Sequence, residues 1–230
     1  PTRTPIKNLP KPRLAFIASA FFTSTFLAGA LFFVLGATAT NSHANAINGD
    51  ELGRAITRDY NERLGALFTH FHRNPELSFM ETKTAKKLAD ELRKSGFNVT
   101  EKVGGTGIVA ILENGNGPLV MMRADMDGLP VKEKSGLDYA STATQIDPVT
   151  GNQVPVMHAC GHDVHITSLI GTARQMSERK DNWSGTLMLI GQPAEERIRG
   201  AKAMMDDNLW KRFGQPDYAL AFHEIGRAHV

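Results

Sequence analysis

Cys160 and His162 stand two residues apart in His158-Ala-Cys-Gly-His-Asp163. On extended chain both side chains would point to one face. Thiolate and imidazole are good ligands for zinc-like divalent cations. The spacing equally suits a buried structural cysteine beside a hydrogen-bonded histidine, because short Cys-x-His matches arise by chance. A rival pair is His162 with His165, one helical turn apart; it ranks lower because His165 would have to share a face with Cys160 across a loop-to-helix junction. Glu195 and Glu196 follow an apolar run and Pro193. Adjacent extended residues face opposite ways, so one would suit a metal and the other a general base acting on water. A solvated acidic pair opening a helix is the other reading. Asp125 and Asp127 share a face of extended chain, where one would orient a histidine ligand, or else they form a turn with an Asx bond before Gly128. Arg123 suits a substrate carboxylate, Asp125 or an ordinary ion pair. His70 and His72 lie near a helix end and read as capping or packing residues.

The elements that must position these groups follow from periodicity. Leu52, Ile56, Tyr60, Leu64, Leu67 and Phe71 recur at helical spacing and predict one amphipathic helix over 50–71, ended by Asn74-Pro75. Ser78-Phe-Met-Glu81 has the form of a capping box for a second helix. That helix buries Ala85, Leu88, Ala89 and Leu92 and stops at Gly96. Strands are predicted at 97–103, 108–112, 119–122, 186–190 and 218–222, with helices at 165–176 and 196–206 and a long polar loop at 133–156. Helices alternating with short apolar strands give an α/β fold, a three-layer αβα sandwich around a mostly parallel sheet. In such sheets ligands gather beyond the carboxyl ends of the strands. Asp125/Asp127, Glu195/Glu196 and His223 each directly follow a predicted strand, and Cys160/His162 precedes a helix at the same edge.

The 230 residues are 41% apolar and 22% charged, an ordinary globular composition. The formal charge of +2 comes from Arg3, Lys7, Lys11 and Arg13. Without those four, 22 basic residues face 24 acidic ones, a net of −2. No basic face for nucleic acid is expected. The lone cysteine excludes an intramolecular disulfide. Residues 1–46 are basic, then apolar over 14–39, then end in Ala44-Asn45-Ala46, which reads as a secretory signal and an exported protein. A retained membrane anchor is the alternative, since the apolar run is long enough to span a bilayer.

Three motifs, 123–130 (Arg-Ala-Asp-Met-Asp-Gly-Leu-Pro), 156–165 (Val-Met-His-Ala-Cys-Gly-His-Asp-Val-His) and 191–197 (Gly-Gln-Pro-Ala-Glu-Glu-Arg), resemble the metallopeptidases of family M20. The resemblance is strongest to its amidohydrolase branch of hippurate hydrolases, N-acyl amino acid deacylases and auxin-conjugate hydrolases, and it spans about residues 64–223. It implies two divalent metal ions, manganese or zinc, bound by Cys160, His162, Glu196 and His223 and by a further histidine near the family's C-terminus. It implies Glu195 as general base or acid, with Asp125 supporting the site. The implied substrates are N-acyl amino acids or short peptides with a free carboxylate, and the implied assembly is a homodimer formed through a lid domain. A non-catalytic metal- or ligand-binding relative is the competing class. Two departures stand out: Ile198-Arg199 replaces a glycine-rich stretch, and Asn208 replaces a usual glycine, mildly, because Asn tolerates positive φ.

The last seven residues, Glu224-Ile-Gly-Arg-Ala-His-Val230, are what a common sequencing adapter encodes when read in frame. They are therefore expected to be an artefact, with His229 no ligand and the rest of the catalytic domain missing.

Overall fold

The computed structural model describes residues 49–223. The expected leader and the terminal heptapeptide lie outside these residues.

The predicted first helix is built in three pieces: α1 (Gly49–Asp59), a π-helical turn (Tyr60–Leu64) and α2 (Gly65–Arg73). The wider turn shifts the helical phase between α1 and α2. Ile56 and Tyr60, expected on the buried stripe, are instead half exposed, while Leu64 and Phe71 are buried. Asn74 ends α2, as Asn74-Pro75 predicts. Helix α3 (Thr82–Lys94) buries the expected Ala85, Leu88, Ala89 and Leu92. Its cap departs from the sequence reading. Glu76 Oε2 accepts the Lys83 and Thr84 N–H groups at 2.9 and 2.8 Å. Ser78 and Glu81 make no cap and turn towards other parts of the molecule.

Strands β1 (Asn98–Val103), β2 (Gly107–Asn114) and β3 (Leu119–Asp125) come next. The stretch expected to be a plain loop contains a small hairpin, β4 (Thr144–Ile146) and β5 (Gln153–Pro155). Its polar, turn-rich composition hides strands too short to show a period of two. Then come α4 (His162–Glu178), β6 (Gly185–Gln192), α5 (Gly200–Asp206), α6 (Leu209–Phe213) and β7 (Tyr218–Ala221). Two helix starts shift from expectation. Helix α4 begins at His162 rather than His165, and residues 195–198 form turns, so α5 begins only at Gly200.

The main sheet has the order β1-β2-β6-β3-β7. Its β6–β3 and β3–β7 pairs are parallel, and its β1–β2 and β2–β6 pairs antiparallel. Strand β2 thus runs against the other four, making the sheet mixed. Alternation along β2 feeds two cores. Ile108, Ala110 and Leu112 pack with Leu64, Phe71, Leu88, Leu92, Ile166 and Leu169 on one face. Val109 packs with Met188, Ile190, Met204 and Leu209 on the other. Helices therefore cover both faces, giving the expected three layers. Among the described residues no helix is long and apolar enough to cross a membrane.

Candidate metal centre

The parallel strands β6, β3 and β7 end at one edge, and the candidate residues gather there. Asp125 is the last residue of β3 and is fully buried. Glu195 and Glu196 lie on the turn after β6, and His223 comes just after β7. His162 is the first residue of α4. Cys160 and His162 do not sit on extended chain. Gly161 between them is left-handed, with φ 72°, and bends the chain into the helix, a conformation that suits glycine.

Asp125, His162, Glu195 and His223 offer ligand atoms that all lie within 4.8 Å of one another. Asp125 Oδ2 is 3.8 Å from His162 Nε2 and 3.6 Å from His223 Nε2. Glu195 Oε2 is 3.7 Å from His162 Nε2, and its Oε1 is 3.1 Å from His223 Nε2. Glu196 Oε1 lies 3.8 Å from the same His162 nitrogen, and Cys160 is close enough to Glu196 for that carboxylate to raise its pKa. All six residues singled out in the sequence thus come together, with His162 between a Cys160–Glu196 side and an Asp125–Glu195–His223 side.

The chemistry of this donor set fits a cation. Asp125 Oδ2, His162 Nε2 and His165 Nδ1 are buried without a hydrogen-bond partner. His162 Nδ1 donates to the Asp127 carbonyl at 2.7 Å, so the lone pair of the neutral ring is on Nε2, facing the cluster. Buried acceptors facing one another are costly unless something positive lies between them. Burial pushes the Asp125 carboxyl up to about 6, against the pull of Arg123. Burial also pushes the Cys160 thiol up to about 12, helped by the neighbouring Glu196 carboxylate and by the charges of Glu195 and Asp127. For His162, burial acts to lower the pKa, but the Asp127 bond and the Asp125 and Asp127 charges raise it. Positive charge at this spot is favoured.

Asp127 supports the cluster from behind. Its carboxylate accepts the Glu195 and Glu196 N–H groups, each at 3.1 Å, and the Ser78 hydroxyl at 2.5 Å. Of the two aspartates, Asp127 is therefore the one that orients a histidine, and it does so through its backbone carbonyl. Arg123, with three readings open in the sequence, bonds Asp125 Oδ1 and donates to Gln192 Oε1 at 3.1 Å.

His165 places Nδ1 3.8 Å from Asp125 Oδ2, at the rim of the cluster rather than beside Cys160. His158 is buried with both ring nitrogens unpartnered, and burial pushes it down to about 4. Nothing in its sequence position distinguished it from a spacer. His72 is away from the cluster, bridging the Asp163 and Glu133 carboxylates, a structural role but not the capping or packing one expected of it. The His70 ring packs edge-on against Phe71.

Of the two sequence departures, Asn208 is left-handed at φ 59°, the conformation for which Asn substitutes for glycine. Ile198 is also left-handed, at φ 55°, where a β-branched residue is strained.

Residues 121–229 match the sequence profile of the peptidase family M20/M25/M40. Over 155 residues the chain is 43% identical to the hippurate hydrolase of Campylobacter jejuni, covering 67% of this chain and 37% of that protein. It is 34% identical over 163 residues to the Arabidopsis thaliana IAA-amino acid hydrolase ILR1-like 5, covering 71% and 35%. The chain therefore spans little more than a third of the length of these relatives. A Bacillus subtilis structure described as a dinuclear metal binding peptidase from the M20 family superimposes with a TM-score of 0.62 at 32% identity, covering 72% of this chain and 43% of that one. A putative aminohydrolase from methicillin resistant Staphylococcus aureus gives 0.66 at 32% identity, covering 76% and 42%. With the mixed sheet and the convergent donors at its carboxyl edge, these likenesses show that the chain carries part of a peptidase domain of family M20/M25/M40.

Proposed function

We propose that this chain forms the metal-binding part of an amidohydrolase that cleaves the amide bond of N-acyl amino acids or short peptides. The observation that carries the reading is the meeting of Asp125, His162, Glu195 and His223 within 4.8 Å, with Glu196 Oε1 3.8 Å from His162 Nε2 and Cys160 beside Glu196. Cys160, His162, Glu196 and His223 would hold two divalent cations, of which manganese and zinc suit the mixed thiol, imidazole and carboxylate set. Bound there, the cations would polarise the amide carbonyl and make water more acidic.

The protein's own groups do the rest. Glu195 takes the proton of the attacking water and delivers it to the leaving amine. Its neighbour Glu196 stays a ligand, because the two consecutive N–H groups are pinned to one Asp127 carboxylate and the side chains cannot exchange places. Asp125, held by Arg123, fixes negative charge against His162 and His223. Export through residues 1–46 and a homodimer formed through a lid domain belong to the same reading, supported by the leader-like pattern and the family resemblance.

The test is release of glycine from hippurate by the full-length gene product loaded with Mn²⁺ or Zn²⁺, wild type against Glu195→Gln. The expected outcome is turnover by wild type and a loss of about 100-fold or more in kcat for the variant, with metal content unchanged. Equal turnover would remove Glu195 as the base. A metal-loaded wild type inert towards hippurate and other N-acyl amino acids would favour a non-catalytic relative.

A further inference from the structure

Glu195 and Glu196 sit on a turn, not on a helix or strand, so their direction must be imposed from outside. The turn begins at Ala194, a buried residue at φ 47°, which an alanine does not adopt without support. Three consecutive N–H groups there meet buried carboxylates. Those of Glu195 and Glu196 go to Asp127, already part of the centre. That of Ala194 goes to Glu81 Oε1 at 2.8 Å, across 113 residues of sequence.

Glu81 is fully buried. Its Oε1 also accepts the Phe79 N–H at 2.9 Å, and its Oε2 accepts the Thr106 hydroxyl at 2.5 Å. Burying a carboxylate is costly unless it is fully hydrogen-bonded. Capping α3 does not account for that cost, because Glu76 serves the cap. What Glu81 gains by being buried is a grip on the residue immediately before the candidate base.

We propose that Glu81 is a positioning residue for the amide hydrolysis, aiming the Glu195 carboxylate by holding the Ala194 N–H. The proposal rests on Glu195 as the base. Rotation of the backbone at Ala194 would swing both glutamates together, and a misplacement of about 1 Å at a reacting group costs about 100-fold in rate. The segment 76–81 thereby acts on the reaction without touching substrate or metal.

Glu81→Leu and Glu81→Gln decide it, measured as hippurate turnover per metal-loaded site in the Mn²⁺-loaded full-length protein. Leucine keeps the volume and removes the acceptor. It is expected to lower kcat by at least about 30-fold, with KM within about twofold and metal stoichiometry unchanged. Glutamine keeps an oxygen for Ala194 and Phe79 and offers its NH₂ to the Thr106 oxygen, so it is expected to retain kcat within about threefold. A folded, metal-loaded Glu81→Leu with wild-type kcat would overturn the proposal. So would equal losses in the two variants, since the charge and not the bond would then matter. If Glu81→Leu does not fold, Thr106→Val decides. It loosens Glu81 from its other side, and a fall in kcat of about three- to tenfold at constant KM is expected, while an unchanged kcat overturns the proposal. Glu195→Gln run alongside separates the two readings: full turnover there removes the base itself, whatever Glu81 does.

Discussion

Asp127 serves the centre with two different groups. Its backbone carbonyl fixes the tautomer of His162, and its carboxylate collects two N–H groups and the Ser78 hydroxyl. Burial acts to raise its pKa, yet the bonds it accepts from His162, from Ser78 and from the Glu196 N–H hold it below the usual carboxylate range. Asp127→Asn replaces one oxygen by an NH₂ that must face a donor. The expected result is a loss of about 1–3 kcal/mol in stability and metal binding weakened by about 10- to 100-fold, read by thermal melting and by Mn²⁺ titration. The alternate spacing of Asp125 and Asp127 was legible in sequence, and so was the idea that one of them orients a histidine. The use of a main-chain carbonyl for that purpose was not, because every residue has one and only its surroundings select it.

Among the secondary-structure elements, the edge where β3, β6 and β7 end was readable, since each short apolar run leads directly into a polar cluster. The turn after β6 was not. A helix was expected from Glu196, but the chain turns through left-handed Ala194 and Ile198 before α5 begins. Gly200 permits this, because a Cβ there would lie 1.5 Å from the Pro193 carbonyl oxygen. Ile198 is 93% exposed, so its side chain repays none of its backbone strain. Ile198→Gly is therefore expected to stabilise the protein by about 0.5–1 kcal/mol, the relief of a left-handed β-branched residue less the entropy cost of glycine. A melting temperature equal to or below that of wild type would contradict this. The π-helical turn was also hidden from the sequence. It follows the buried Asp59, whose carboxylate binds Arg174 Nε at 2.8–3.0 Å, a partner 115 residues away on α4.

Across the fold, His72 joins three separate segments. From the end of α2, its Nδ1 meets Asp163 Oδ2 at 2.6 Å in the first turn of α4, and its Nε2 meets Glu133 Oε1 at 3.0 Å in the excursion after β3. With a carboxylate facing each ring nitrogen, the charged form of the ring is favoured. Burial acts to lower its pKa, but the two bonds and the two charges raise it above its ordinary value. A pKa raised on folding stabilises fully below the unfolded value and ceases to do so as the pH rises through the folded one. The difference in melting temperature between wild type and His72→Gln should accordingly be larger at pH 6 than at pH 9. An equal difference at both would mean that His72 acts as a neutral packing group.

The αβα layering, the stripe of α3, the strands that end at the edge of the candidate centre and the six residues that meet there were all legible along the chain. They depend on local period and on short motifs, which need no knowledge of distant neighbours. The reversal of β2, the π turn, the start of α4 at His162 and the real partners of Ser78 and Glu81 emerge only on folding. Taken locally, Ser78 and Glu81 are a helix cap. Folded, they face Asp127 and Ala194, because a buried carboxylate or hydroxyl goes to whichever donor or acceptor the packing brings within reach, and that choice is made between residues far apart in the chain.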